Sequence, residues 1–310
     1  MNTILVVGSI NMDLVARCPH VPAPGETVLG SDFAQHPGGK GANTATAAAR
    51  LARDGGVAML GAVGSDDNGV ALTHNLRERG VDTARVATAA APTGVALIAV
   101  ADDGANSIVV APGANSRVLP PDIDAARAAL TPAPPAILVT QMEIPLETVV
   151  RAALAGRDMG ACVLLDPAPA PAHLPDSLLA AVDILMPNEG ELETLTGLPT
   201  GTVEEAARAA ETLRARGVGS VVVKRGEHGA LIVDAAGARV VPAPRVEAID
   251  TTGAGDCFNG ALAAALAEGQ AVDAAARFAT HAAALACTAL GAQEAQPTRE
   301  QVDRLLSTSH

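Results

Sequence analysis

Aromatic side chains are nearly absent from this sequence, which has three Phe, no Tyr and no Trp among 310 residues. Proteins that bind single-stranded nucleic acid stack the bases on aromatic rings, so this class of function is disfavoured. The charge balance points the same way, because 21 Lys and Arg against 34 Asp and Glu give a net charge of −13. No basic run is present that would attract nucleic acid or an anionic membrane. We therefore expect neither as a partner.

Cysteine is scarce as well, and the four that occur are scattered without a CxxC pair. This spacing indicates neither a zinc site nor a disulfide framework. No basic residues precede the apolar run at the N-terminus, as they would in a secretory signal. No uninterrupted apolar stretch reaches the roughly 20 residues that a membrane span needs. We therefore expect a reduced, cytoplasmic protein.

Short apolar runs alternate with amphipathic segments along most of the chain. Runs such as Ile4–Gly8 and Ser220–Lys224 predict buried strands, and Leu146–Gly156 and Val203–Gly217 predict helices. The alternation predicts an α/β fold, in which a mostly parallel central sheet carries helices on both faces. Ligands in such folds bind at the carboxyl ends of the strands. Further predicted strands are Ala136–Thr140, Cys162–Asp166 and Asp183–Asn188.

Two β-rich segments interrupt this alternation. In Thr93–Pro112, two runs flank Asp103-Gly104, which is a strong hairpin signal. Residues 13–35 are also strand-like and contain a Pro and Gly turn at Pro22–Gly25. No segment resembles a flexible linker. We therefore predict one domain over residues 1–310, from which residues 13–35 and 93–112 project as a small β-sheet.

The segment Asp250–Gly260, DTTGAGDCFNG, combines a glycine turn with a carboxylate. Gly253, Ala254 and Gly255 let the backbone turn sharply and approach a ligand, and the alanine-rich stretch that follows predicts a helix. Free N–H groups at a helix N-terminus favour a phosphate. Asp256 in the first helical turn would either cap the helix or take a proton from an attacking hydroxyl. These residues alone leave both interpretations open.

A second glycine cluster, PGGKGAN, also precedes a predicted helix. It is not a Walker A loop, because no Ser or Thr follows Lys40. Lys40 and Asn43 offer hydrogen-bond donors to hydroxyl groups of a ligand. The alternative is a tight loop with a solvated lysine. Glu143 and Asp13, which each follow an apolar strand, are ligand contacts or ordinary surface carboxylates.

Asn188 and Glu191 form an N-x-x-E pair just after a predicted strand. An amide and a carboxylate suit hydrated magnesium, whereas the same spacing also describes a capping box. The glycine turn Lys224–Gly229 follows another strand and either lies along a nucleotide or is only a turn. A polyanion such as ATP would need local geometry and a metal to bind this acidic chain.

These motifs, in this order, resemble the ribokinase-like family of carbohydrate kinases over nearly the whole chain. The resemblance rests on GSINMD, PGGKGAN, the TGVALI hairpin, QMEIP, DPAPA, VVVKRGEHG, DTTGAGDCFNG, ARFAT and GAQ. It implies a three-layer α/β/α fold in which the small β-sheet is a lid. It also implies ATP-dependent phosphorylation of D-ribose at the C5 hydroxyl, with Mg²⁺ and an activating monovalent cation, K⁺. A sheet exposed in this way needs a partner, so we expect a homodimer that pairs the lids.

The resemblance also assigns roles to individual residues. Asp256 would be the catalytic base, with Gly253, Ala254 and Gly255 as the anion hole. The sugar would be bound by Asn11, Asp13, Gly39, Lys40, Gly41, Ala42, Asn43, Glu143 and Asp256. ATP would be bound by Asn188, Lys224, Arg225, Gly226, Glu227, His228, Gly229, Gly255, Asp256 and Thr280. Glu191 would arrange magnesium through water, and the monovalent cation would be held by Asp250, Thr252, Ala286, Ala289, Gly291 and Ala295.

The sequence departs from the family pattern at several positions. Ala295 stands where Ser is common, Lys224 where Thr is common in the nucleotide loop, and Cys257 where Thr is common after the base. The helix N-terminus would lower the pKa of the Cys257 thiol and make it reactive, or Cys257 is simply a small buried residue.

Two other functions stay open. Within the same family, 2-deoxyribose, another pentose or a nucleoside would be the substrate instead of D-ribose. Asn11, Asp13 and Glu143 favour a hydroxyl-rich sugar over a nucleoside. A catalytically silent sugar-binding regulator is the alternative from another class. The presence of Asp256, the glycine turn and the N-x-x-E pair together argues against it.

Overall fold

The structure is a computed structural model that describes residues 4–53, 56–130 and 133–308. Strands and helices alternate along the chain, as the apolar pattern predicts. The strands are β1 (Ile4–Val7), β2 (Asn11–Cys18), β3 (Asp32–Gly38), β4 (Val57–Gly64), β5 (Val81–Ala89), β6 (Gly94–Ala101), β7 (Asn106–Ala111), β8 (Ile137–Thr140), β9 (Cys162–Leu165), β10 (Ile184–Leu185), β11 (Ser220–Lys224), β12 (Ala230–Asp234) and β13 (Gly237–Val241). The helices are α1 (Lys40–Leu51), α2 (Asp67–Glu78), α3 (Pro120–Leu130), α4 (Leu146–Asp158), α5 (Asp176–Leu179), α6 (Glu189–Thr196), α7 (Val203–Arg214), α8 (Ala254–Ala267), α9 (Val272–Ala286) and α10 (Arg299–Thr308).

The larger sheet has the strand order β13-β12-β11-β10-β9-β8-β1-β4-β5. Neighbouring strands from β11 to β5 are parallel, whereas β12, near one edge, pairs antiparallel with both β11 and β13. Apolar side chains of α1, α2, α8 and α9 pack on one face, and those of α3 to α7 pack on the other. The predicted three-layer α/β/α fold with a mostly parallel sheet is therefore confirmed. None of the helices in the described ranges is long and apolar enough to cross a membrane.

Small side chains bring α1 and α8 close together on one face of this sheet. Gly260 of α8 lies so near α1 that a Cβ there would stand 2.6 Å from the Thr44 carbonyl oxygen. With almost no aromatic residues, this core is built from alanine and branched aliphatic side chains, which allow such approaches. The close approach places the first turns of α1 and α8, which carry Lys40 and Asp256, beside each other.

The smaller sheet has the strand order β3-β2-β6-β7. The predicted hairpin forms between β6 and β7, and β2 pairs with β6 in parallel. The strands Asn11–Cys18 and Asp32–Gly38 extend slightly beyond the predicted range 13–35. Only three residues separate the end of β1 from the start of β2, so β2 begins two residues before the predicted range. Asn11 and Asp13 therefore lie beside the carboxyl end of a central strand.

The direction of the strand order changes between β1 and β8. From β1 the chain proceeds to β4 and β5 on one side, and from β8 it proceeds to β9, β10 and β11 on the other. Such a switch point leaves a crevice beyond the carboxyl ends of both strands. Ser9 and Glu143 follow these two ends, and Ser9 Oγ donates to Glu143 Oε2 at 2.5 Å.

Candidate active site

The PGGKGAN glycines allow α1 to begin directly against the β1–β2 connection. Gly39 has φ +90°, and a Cβ there would lie 2.7 Å from the backbone nitrogen of Asn11. The first helical residue, Lys40, donates its backbone N–H to Glu143 Oε2 at 3.2 Å. The Ala42 N–H donates to the Ser9 carbonyl oxygen at 2.9 Å. Backbone contacts therefore hold the helix N-terminus across the crevice, and only glycine fits at this turn.

Asp256 is the third residue of α8 and is almost completely buried, with 6% of its surface exposed. The helix begins after Gly253, whose left-handed conformation has φ +73° and which has no side chain with which to cap. Asp256 Oδ2 instead accepts a hydrogen bond from Asn43 Nδ2 at 2.8 Å. Of the two interpretations that the sequence leaves open, helix capping by Asp256 is therefore wrong.

Burial raises the pKa of Asp256 to about 6, although Lys40 and the Asn43 hydrogen bond act to lower it. The pKa of Lys40 is raised, chiefly by the neighbouring Asp256 carboxylate. Burial, and then the charges of Glu143 and Asp256, raise the pKa of Asp13 to about 7. The structure therefore brings the predicted sugar-binding carboxylates and lysine into one cluster, close enough for each group to change the pKa of the others.

Asn11 is buried in this cluster, and its Oδ1 accepts from Asn115 Nδ2 at 2.7 Å. Asn115 also exchanges hydrogen bonds with the backbone of Ile10, so it fixes the β1–β2 connection. It lies on a 3-10 turn, Gly113–Arg117, just after β7. Sequence reasoning missed Asn115, because nothing along the chain connects it with residues more than 100 positions away.

An ion pair that the sequence analysis missed joins this cluster to β11. Asp166, which follows β9 and is 1% exposed, accepts from Lys224 Nζ at 3.0 Å. Its other oxygen accepts from Asn259 Nδ2 of α8 at 2.8 Å. Asp166 stands just past a strand end, as Glu143 does, so the strand-end pattern was the signal that could have found it.

A cavity of about 960 Å³ opens on the other side of the α8 N-terminus. Most of the residues predicted to bind ATP line it: Lys224, Gly226, Glu227, His228, Gly229, Gly255 and Thr280. The residues that sequence reasoning missed include Ala243–Val246, Ala248, Phe258, Ala283, Ala284 and Cys287. Asn188, Arg225 and Asp256 are not part of the lining. The Arg225 guanidinium is buried and donates to Glu189 Oε1 at 2.8 Å.

The Asn188–Glu191 pair forms a complete capping box at the start of α6. Glu191 N donates to Asn188 Oδ1, and Asn188 N donates to Glu191 Oε2, each at 2.7 Å. Burial raises the pKa of Glu191, Lys224 lowers it and Asp166 raises it, so this carboxylate also faces the central cluster. The capping interpretation is therefore correct, and it does not exclude a second role toward a metal.

The carboxylate of Asp250 organises the loop before α8. Its Oδ1 accepts from the backbone N–H and the hydroxyl of Thr252, and its Oδ2 accepts from the Gly291 N–H at 2.9 Å. Burial alone would raise the pKa of Asp250, but these hydrogen bonds outweigh it and lower the pKa. Three of the predicted cation residues therefore lie together. The remaining ones, Ala286, Ala289 and Ala295, offer only backbone carbonyls.

Cys257 is fully buried beside Asp256. Burial, and then the charge of the adjacent carboxylate, raise the pKa of its thiol. Full burial and the raised pKa both support the interpretation of Cys257 as a small buried residue and argue against a reactive thiol.

Comparison with known proteins shows the family to which this fold belongs. The sequence matches the pfkB family carbohydrate kinase profile over residues 1–299, and the chain belongs to this family. It is 40% identical over 300 residues to the ribokinase of Haemophilus influenzae, covering 96% of each protein.

The names of two further relatives state what those proteins act on or bind. The chain is 39% identical over 305 residues to the deoxyribokinase of Salmonella typhi, covering 98% of each protein. The solved structure of Arabidopsis thaliana ribokinase complexed with ribose and ATP matches with a TM-score of 0.89 at 33% identity, covering 99% of each chain.

Proposed function

We propose that this protein transfers the γ-phosphoryl group of ATP to the C5 hydroxyl of D-ribose and produces D-ribose 5-phosphate. One observation carries the proposal: the first turn of α8 contributes to both halves of the site. Asp256 joins the polar cluster through Asn43, whereas Ala254 and Gly255 line the cavity on the other side. A hydroxyl in the cluster and a phosphate over the turn would therefore meet at one helix N-terminus.

Asp256 is the proposed general base. With a pKa of about 6, it is mostly ionised at neutral pH yet remains basic enough to accept a proton from an attacking hydroxyl. Lys40 and the Asn43 amide stabilise the ionised form until substrate arrives. The N–H groups at the start of α8, together with the Lys224 ammonium, face the charge that develops on the transferring phosphoryl group.

Mg²⁺ and K⁺ fit the oxygen-rich groups on either side of this turn. The Glu191 carboxylate near Asp166 is a hard donor set that suits magnesium with its waters, and when bound the metal would neutralise phosphate charge. The ionised Asp250, the Thr252 hydroxyl and nearby backbone carbonyls suit a monovalent cation. Among the described ranges, no group of three or more His, Cys, Asp and Glu is placed to hold a metal alone.

The second candidate substrate is 2-deoxyribose, which the likeness to a deoxyribokinase favours. The two sugars differ by one hydroxyl, and a site built to hydrogen-bond that hydroxyl rejects the sugar that lacks it. Asn11, which is buried, and Asp13, which is partly exposed, are the polar groups that would make the distinction.

A coupled assay of ADP release tests the proposed function. The substrates are D-ribose, 2-deoxyribose, fructose and adenosine, each with and without potassium. We expect the highest kcat/KM with ribose, stimulation by potassium and little turnover of adenosine. No sugar-dependent ADP release, together with retained ribose binding by calorimetry, would favour the silent regulator and overturn the proposal.

We further propose that the small sheet acts as a lid and pairs with a second copy. Its edge strand β7 exposes Ile108, Val109 and Val110, and Leu97 of the neighbouring β6 is 50% exposed. Apolar strands left open in this way favour association. We expect a dimer in light scattering of the wild-type protein and a monomer for Val109→Lys. A monomeric wild-type protein would contradict the pairing.

A further inference from the structure

The amide of Asn43 has a fixed orientation, and what fixes it lies outside the predicted site. Asn43 Nδ2 donates to Asp256 Oδ2, while Asn43 Oδ1 accepts from Gln293 Nε2 at 2.9 Å. Gln293 is completely buried. The Asn43 backbone carbonyl is also held, by Gln296 Nε2 at 2.8 Å. The side chain that contacts the proposed base is therefore anchored on its opposite side.

The hydrogen bonds continue beyond Gln293 to the end of α2. Gln293 Oε1 accepts from Asn75 Nδ2 at 2.7 Å, and Asn75 Oδ1 accepts from Arg79 Nε at 3.1 Å. Arg79 Nη1 also donates to the backbone carbonyl of Gln293 at 3.0 Å. We call the series Arg79, Asn75, Gln293, Asn43 and Asp256 the amide relay.

Only one orientation of the three amides satisfies every step of the amide relay. A guanidinium can only donate hydrogen bonds, so Asn75 must present its oxygen to Arg79. Asn75 then has only its NH₂ group for Gln293, and Gln293 in turn has only its NH₂ group for Asn43. Asn43 must therefore present its NH₂ group to Asp256. Reversing any one amide would place two donors or two acceptors face to face.

We propose that Gln293, Asn75 and Arg79 are positioning residues, which hold the Asn43 NH₂ group on Asp256 and so favour the ionised, proton-accepting form of this base. The proposal rests on the proposed function only in calling Asp256 the base. A donor held on a carboxylate favours its charged form. The amide relay also prevents Asn43 from presenting its oxygen to a protonated Asp256, an arrangement that would favour the neutral form of this carboxyl group.

Other charged groups face Asp256 as well, and any test must separate them from the relay. Lys40 at the start of α1 favours its ionised form, whereas carboxylates around it oppose that form. The carboxylates are Asp166 after β9, Glu143 after β8 and Asp13 on β2, and the Cys257 thiol lies beside them. None of these groups is a member of the relay, so substitutions in the relay leave them in place.

The most specific test reverses the direction of the hydrogen bonds in the amide relay by a substitution at Asn75, which does not contact Asp256. In Asn75→Asp, the new carboxylate still accepts from Arg79 but cannot donate to Gln293. Gln293 must then turn its NH₂ group toward residue 75, and Asn43 must turn its oxygen toward Asp256. We expect the acid limb of the kcat/KM profile to move up by about one pH unit, which is roughly a fivefold loss at pH 6, about a tenfold loss at pH 5 and little loss at pH 9.

Two further variants and one control accompany this test. Gln293→Met, nearly isosteric and neutral, removes the anchor without adding charge, and we expect a shift of about half a pH unit in the same direction. His74→Asp adds the same charge at the adjacent, exposed position, and we expect no shift of the acid limb of the kcat/KM profile. When Asn43 is already Ala, Gln293→Met should have no further effect on the profile.

A titration of the Asp256 carboxyl carbon by NMR, assigned with Asp256→Asn, reads the same pKa without any substrate. An upward shift in Asn75→Asp and Gln293→Met supports the relay even where the sugar assay fails, so the two proposals fail separately. If both variants fold and neither the Asp256 titration nor the acid limb moves, the relay is overturned. A uniform rate loss at every pH also overturns it, because that result indicates a merely structural role.

Discussion

The two sides of the α8 N-terminus are built differently. On the proposed sugar side, Asn11, Asn43 and Asp256 are buried and hydrogen-bonded to protein, and α1 begins at a glycine with no room for a side chain. On the proposed nucleotide side, a cavity of about 960 Å³ is lined largely by small residues and by the turn that carries Gly226. A Cβ on Gly226 would contact nothing within 4 Å.

This difference indicates a division of work. The sugar side holds its polar groups in place before any ligand binds, which is what proton transfer at a defined oxygen requires. The proposed nucleotide side offers space, backbone and the cationic side chains of Lys224 and Arg245, which suits a ligand recognised mainly through shape and phosphate. We therefore expect a Cβ at Gly39 to be costly and one at Gly226 to be mild, whereas at Gly229, the end of the same turn as Gly226, a Cβ would stand 2.0 Å from the Val241 carbonyl oxygen.

The largest expected effect is that of Asp256→Asn. The amide keeps the size of the carboxylate and still accepts from Asn43, but it cannot take a proton. We expect kcat to fall by about 10²–10⁴-fold, while ribose still binds. Steady-state kinetics and calorimetry with ribose measure the two quantities, since the chain has no Trp for fluorescence. Turnover close to that of the wild type would remove Asp256 from the mechanism.

Two glycine substitutions test the contrast directly. In Gly39→Ala, a positive φ is combined with a Cβ placed 2.7 Å from a backbone nitrogen, and we expect a loss of roughly 2–4 kcal/mol in the free energy of unfolding. In Gly226→Ala, φ is +54° in open space, and we expect about 1–2 kcal/mol from the backbone alone. Urea denaturation gives both values. Equal losses would show that the two turns do not differ in rigidity.

The buried carboxyl group of Asp256, the proposed base, should also make folding stability depend on pH. The folded-state pKa of Asp256, about 6, lies above its value in an unfolded chain, so the folded protein binds more protons between pH 4 and 6. The free energy of unfolding should therefore decrease as pH rises through this range. We expect Asp256→Asn to gain about 1–3 kcal/mol relative to the wild type between pH 4 and pH 8. If the difference in the free energy of unfolding between Asp256→Asn and the wild type does not change with pH, folding does not raise the pKa of Asp256.

The smallest effect separates the capping role of Glu191 from its proposed metal role. A second capping box, Thr202 with Glu205, starts α7 away from the site and provides a matched control. Glu191→Gln and Glu205→Gln should each change stability by less than about 0.5 kcal/mol, because Gln also closes a capping box. Only Glu191→Gln should raise the Mg²⁺ concentration for half-maximal rate, by about tenfold. The same Mg²⁺ response in both variants would leave Glu191 with the cap alone.

Local patterns along the chain predicted much of this molecule. The apolar runs predicted the central strands, and Asp103-Gly104 predicted the β6–β7 hairpin, because both depend on neighbouring residues. The glycine clusters predicted where α1 and α8 begin. Sequence reasoning missed Asn115, Asp166 and Gln293, whose partners lie far away along the chain. It also assigned Cys257 a possible reactivity that full burial removes.

What could be read along the chain was therefore the set of elements, the turns and the chemical groups available for catalysis. The tertiary structure decided how those groups behave. It brought α1 against α8, buried Asp256 among other charges and oriented Asn43 through Gln293 and Asn75. The physical reason is that a side chain's type and local turn are properties of a short segment. Its burial, its pKa and the direction of its hydrogen bonds depend on segments that meet only when the chain folds.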